Sequence, residues 1–180
     1  RTSAKPVFIV SPEEAGTPES RPGRSGTSVW RFKAANVRDF AWNTCRRQIW
    51  DAQGVDVNGR TVLAMSGYTK EGMPLWDRYS TAAVAHTLKV YGRYTFDYPY
   101  PTAISVNGPI GGMEYPMFTA DGGNTPEYIT LFGHEIAHNW FYGMIGSNET
   151  YRALLDEGFT NFICAATTDS IWGADSGTMW

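Results

Sequence analysis

The pentapeptide His134-Glu135-Ile136-Ala137-His138 constrains this chain more than any other stretch of it. The sequence has three histidines, and two of them stand four positions apart with a carboxylate directly after the first. On an α-helix, positions i and i+4 lie one turn apart on one face, so both imidazoles can reach a single cation while Glu135, rotated by about 100°, flanks it. Off a helix the spacing has no such meaning. The pattern is the HExxH zinc signature, and it asks the fold for a helix here and a cleft in front of its histidine face.

Local signals favour that helix. Thr125-Pro126-Glu127 combines an N-cap residue, proline at the first helical position and an acid in the first turn, which predicts a helix from Pro126 to about Tyr142 with Gly143 as its stop. Ile129, Phe132, Ile136 and Trp140 follow helical spacing and give it an apolar stripe to bury, leaving the histidines to face the cleft.

A catalytic zinc takes three protein ligands and keeps a fourth position open, so a third donor is required. Glu157 is the candidate: it lies nineteen positions after His138, inside Leu154-Leu155-Asp156-Glu157-Gly158-Phe159. That separation lets the chain turn through residues 143–148 and enter a second helix packed on the first. This helix is expected to start after Ser147-Asn148 and to carry Leu154, Leu155, Phe159, Phe162 and Ile163 towards the core. Glycine in a helix interior costs about 1 kcal/mol against alanine, so Gly158 is expected where another backbone or the site leaves no room for a side chain. Asn161, one turn beyond Glu157, is placed to orient a ligating group. His86 reads as a surface or hydrogen-bonded core residue, and Cys164 as packing.

The rest of the chain sets the frame. At 180 residues with 42% hydrophobic composition, it is the size of one domain with a real core. The charge balance, 15 basic against 18 acidic residues, offers no footprint for nucleic acid. No run of apolar residues is long enough for a membrane span. Two cysteines allow at most one bridge and leave the redox compartment undecided. Residues 11–28, with three prolines and three glycines, read as a linker, preceded by a β-like run at 7–10. Short β-prone runs follow at 29–32, 40–42 and 61–65, with a turn signal at Asn58-Gly59, then a helix over 74–94 and a strand at 103–106. The start at Arg1, with no initiator Met or leader, and the stop at Trp180 are read as the edges of a piece of something longer.

Taken together, Gly111-Gly112-Met113-Glu114-Tyr115, then His134-Glu135-Ile136-Ala137-His138-Asn139-Trp140-Phe141, then Leu155-Asp156-Glu157-Gly158-Phe159 resemble the catalytic domain of the M1 (gluzincin) metallopeptidases, the zinc aminopeptidases. The resemblance covers most of the chain from about Val29 onward. It implies an α+β, thermolysin-like fold: a mixed sheet with one edge strand lining the cleft, the HExxH helix beneath it and the third-ligand helix beside it. Residues 1–28 would then be a linker or the end of a preceding domain, and 29–180 a catalytic domain truncated at its C-terminal end.

The resemblance also implies roles. One zinc ion is held by His134, His138 and Glu157, with Glu135 as general base. Glu114 binds the free α-amino group of a peptide, and Gly111, Gly112 and Met113 form the segment that pairs with that peptide as an added strand. Tyr115 stands where many family members have Asn. The family's tyrosine that stabilises the tetrahedral intermediate would lie beyond Trp180, as would the closing helical domain, and a β-rich domain would precede the linker. The implied activity is hydrolysis of N-terminal peptide bonds. An endopeptidase on the same zinc core, and a zinc- or peptide-binding module without turnover, are the competing expectations.

Overall fold

The computed structural model describes residues 7–9, 19–22, 28–32, 34–124, 129–174 and 176. Among these residues nine strands and three α-helices follow one another as β1 (Val7–Ile9), β2 (Glu19–Pro22), β3 (Ser28–Arg31), β4 (Asn43–Cys45), β5 (Ile49–Val57), β6 (Arg60–Tyr68), α1 (Thr81–Tyr94), β7 (Thr102–Asn107), β8 (Gly112–Met113), β9 (Phe118–Asp121), α2 (Ile129–His138) and α3 (Glu157–Trp172).

Five strands make one mixed sheet in the order β5-β6-β7-β9-β8. The β5–β6 hairpin closes through Asn58 and Gly59, both at positive φ (51° and 77°), as a tight two-residue turn between right-twisted strands requires. From there β6, β7 and β9 run parallel, and the two-residue β8 returns antiparallel on β9 at the edge of the sheet. Gly122 holds this edge close: a Cβ there would come within 2.9 Å of the Gly111 Cα. Only glycine fits that approach.

Period-two alternation sends Val62 and Ala64 of β6 and Ala103 of β7 to one face, where they meet Val84, Leu88 and Tyr91 of α1, Ile136, Ala137 and Trp140 around α2, and Ile163 of α3. Each large side chain fully buried there contributes roughly 1.5–3 kcal/mol. The opposite face carries Met65, Ile104, Val106 and Phe118, with Tyr115 packed against them. No helix among the described residues is long and apolar enough to cross a membrane.

Several expectations change. The linker stretch contains β2, paired antiparallel with β3, because backbone pairing supplies the order that its proline-rich sequence hides, whereas the β-like run expected before it is β1, paired with β4. Residues 40–42 are irregular and the strand falls at β4 instead, with Phe40 and Trp42 exposed. The 74–94 helix begins as a π-helical turn, Trp76–Ser80, before α1. The Thr125-Pro126 start signal lies outside the described residues, and α2 is described from Ile129. It continues past His138 as a π-helical stretch, Asn139–Met144.

The third helix departs most. Chain turns and a short 3₁₀ segment, Ala153–Leu155, intervene after Asn148, so α3 begins at Glu157. Of the five residues expected in the core only Ile163 is buried; Leu154, Leu155, Phe159 and Phe162 are exposed. The buried face is instead Thr160, Ile163, Cys164, Thr167 and Thr168. Thr167 and Thr168 donate their hydroxyls to the carbonyls of Ile163 and Cys164, so these polar groups are satisfied within the helix.

Candidate metal centre

The end of α2 and the start of α3 bring three donor atoms together. His134 Nε2 and His138 Nε2 are 3.2 Å apart, and Glu157 Oε2 stands 3.4 Å from the first and 3.7 Å from the second. Three ligands at roughly 2.0–2.1 Å from a tetrahedral zinc stand about 3.3–3.4 Å from one another, so this triangle has the size that a single such ion demands. Two histidines and a carboxylate are also a donor set suited to zinc.

Burial divides the two histidines. His134 keeps 19% of its side chain exposed, whereas His138 keeps 1%. The helix is therefore enclosed more fully than a single apolar stripe requires, with Phe132, Ile136 and Trp140 fully buried and His138 enclosed as well. Asp156 Oδ1 accepts a hydrogen bond from His138 Nδ1 at 2.7 Å, inside the protein. That partner assigns the ring proton to Nδ1 and leaves the Nε2 lone pair directed at the donor triangle. Asp156 occupies the residue before α3 but makes no side-chain cap; its carboxylate is used by the histidine instead.

His134 is hydrogen-bonded by Asn161 and Glu157. Burial, and then the neighbouring His138, hold its imidazole below the usual histidine range, in the neutral form a metal ligand needs. Glu157 is half-exposed at the first position of α3, where a carboxylate meets the positive end of the helix dipole. Gly158, expected against a backbone or the site, faces a side chain: a Cβ there would lie 2.5 Å from Leu154 Cδ1.

Glu135 is buried on the same turn. Burial, then the charges of Asp121, Glu114, Glu157 and Asp156, push its carboxyl up to about 9. A divalent cation in the donor triangle would offset that accumulation of negative charge. Asp121, on β9, is fully buried; Ser105 and Thr119 donate to its Oδ2, and burial pushes its carboxyl up to about 7.

The segment before β9 faces this centre. Gly111 and Gly112 are exposed, Met113 and Glu114 are half-buried, and among the described residues β8 pairs with β9 on one side only. A Glu114 carboxylate oxygen, a His138 ring nitrogen and an Asp156 oxygen lie within 4.8 Å of one another. The side chains singled out in the sequence therefore share one region. Sequence reasoning missed three residues of it: Asp156, whose only signal was its place beside Glu157; Asp121; and Tyr142, whose partly buried hydroxyl donates to the Glu114 carbonyl at 3.1 Å.

No protein-family model and no curated protein matches the sequence. Solved structures do. An M1 zinc metallopeptidase from Deinococcus radiodurans superposes with a TM-score of 0.72 at 18% identity, covering 99% of this chain and 40% of that one. A mutant of the Deinococcus radiodurans enzyme bound to a Tyr-Ser-Ala substrate gives 0.68 at 15% identity, covering 98% and 40%. Legionella pneumophila aminopeptidase A in complex with aspartic acid gives 0.69 at 13% identity, covering 95% and 22%. The chain thus spans about 40% of the length of the Deinococcus proteins. Over nearly all of its own length, it has the fold of the M1 zinc metallopeptidases.

Proposed function

We propose that this chain is the zinc-binding part of a peptidase that removes residues from the free amino terminus of peptides. The observation that carries the reading is the triangle formed by His134, His138 and Glu157, with sides of 3.2, 3.4 and 3.7 Å. Bound there, zinc would supply Lewis-acid polarisation of a scissile carbonyl and would lower the pKa of a water towards about 7.

The chain's own groups divide the remaining work. Asp156 fixes the His138 ring, and Asn161 the His134 ring. Glu135 takes the proton of the attacking water and delivers it to the leaving amine. Glu114 receives the substrate's α-ammonium group by charge-assisted hydrogen bonding. The edge strand Gly112–Met113 offers its outer backbone to the peptide as a neighbouring strand.

Two experiments on the full-length protein test the reading. Glu135→Gln should keep stoichiometric zinc while turnover falls by at least about 100-fold, the low end of a general base's contribution. Near-normal kcat in that variant refutes the base assignment. Comparing a free-amine peptide with its N-acetylated form tests Glu114: equal cleavage of both points to an endopeptidase. Bound zinc with no cleavage of either points to a binding module.

A further inference from the structure

The helix that carries the two histidines changes form directly after His138. Residues Asn139–Met144 make a π-helical turn, in which the Ile145 amide reaches back to the Trp140 carbonyl at 3.1 Å. Such insertions rotate the following side chains relative to an α-helical register and are frequent at functional sites. Here two of the re-aimed side chains grip the segment between β8 and β9. Asn139 Oδ1 accepts the Met117 amide at 2.8 Å, and Tyr142 Oη donates to the Glu114 carbonyl at 3.1 Å.

Glu114 has particular need of that second grip. The β8 strand ends at Met113, so the Glu114 carbonyl lies beyond the ladder with β9. Tyr142 itself is held firmly: it is 3% exposed, its ring centroid is 6.4 Å from that of His138, and the Arg38 guanidinium lies 4.4 Å over its centre. Arg38 is anchored in turn by Glu149 at 2.8 Å. One phenol therefore touches both the ring of a metal-ligating histidine and the main chain of the carboxylate assigned to the substrate's amino group.

We infer that Tyr142 is a positioning residue that sets the distance between the metal centre and Glu114, and so fixes where a peptide's amino terminus sits relative to the bond to be cut. The inference rests on the aminopeptidase reading above. A carboxylate misplaced by even a fraction of an ångström loses part of its charge-assisted bond to the ammonium group, while the metal, the base and the water remain where they were.

The test is Tyr142→Phe in the full-length protein, which removes one oxygen and keeps the ring between Arg38 and His138. KM for a free-amine peptide should rise by roughly 3- to 10-fold, the loss of one partly buried hydrogen bond, with kcat, zinc stoichiometry and melting temperature little changed. Cleavage of the N-acetylated peptide should not change, so the preference for the free amine falls by the same factor. On a Glu114→Gln background the substitution should have no further effect on KM. Equal losses on both peptides, a drop in bound zinc, unchanged discrimination, or the same KM increase on the Glu114→Gln background would each overturn the inference. A wild-type protein that does not discriminate overturns the Glu114 reading itself, and this inference with it.

Discussion

Replacing Asp156 gives the sharpest view of how the centre is built. Its carboxylate and the His138 imidazole meet at 2.7 Å with 3% and 1% of their side chains exposed, so water cannot substitute for either partner. Asp156→Ala leaves the buried His138 Nδ1 proton only the longer contact to the Thr160 hydroxyl at 3.5 Å, which costs about 1–3 kcal/mol of folding stability. It also frees the ring to rotate. Loss of such a partner typically weakens metal binding 10- to 100-fold, or about 1.4–2.8 kcal/mol. Asp156→Asn keeps an acceptor of the same size and loses only the charge, so its stability should stay near wild type and its zinc affinity should fall at the lower end of that range. Zinc affinity by competition with a chromophoric chelator, paired with urea denaturation of the metal-free protein, measures both quantities. If Asp156→Ala folds cooperatively and binds zinc within twofold of wild type, the orienting role of the carboxylate is refuted.

Two further outcomes follow from burial. The Asp121 carboxyl, about 7 in the folded protein against 3.8 as its reference, is raised on folding, so the unfolded state releases its proton first and stability falls as pH rises from about 4 to about 7. Asp121→Asn should remove that slope and stabilise the metal-free protein at pH 8 by up to about 4 kcal/mol relative to wild type, with little difference at pH 4; an unchanged pH profile in urea denaturation contradicts it. On α3, Phe162→Ser, at a position 73% exposed, should shift stability by no more than about 0.5 kcal/mol, whereas Ile163→Ala next to it should cost about 2–5 kcal/mol. Comparable losses in the two melting curves would show that the exposed face of α3 is packed against something.

What the sequence discloses tracks how few alternatives each signal allows. The Asn58-Gly59 turn and the β-rich runs of β6 and β7 are legible, because each relies on residue types whose backbone geometry has little other use at that spacing, and the separation of His138 from Glu157 is matched by side chains that meet at 3.7 Å. The inward face of α3 is not. Its apolar residues outnumber its threonines, yet Thr167 and Thr168 are buried because their hydroxyls bond the preceding turn, a local compensation invisible to hydrophobic periodicity. Strand β2 is hidden for the converse reason: its residues, Glu-Ser-Arg-Pro, have poor strand propensity, and only pairing with β3 orders them. Asp156 and Tyr142 escape because nothing in their spacing tells which way they point. The first depends on where α3 starts, the second on a π-helical turn.

The Asp156–His138 hydrogen bond has a consequence for how metal would enter. Its two residues are 18 positions apart, and joining them closes the whole loop between α2 and α3 within the protein's own hydrogen bonding. The conformational entropy of ordering that loop is therefore spent in folding rather than in metal capture. His138 already faces His134, and Glu157, next in sequence to Asp156, arrives beside them as the same loop closes. A cation held by the three would therefore owe less of its binding free energy to ordering that loop.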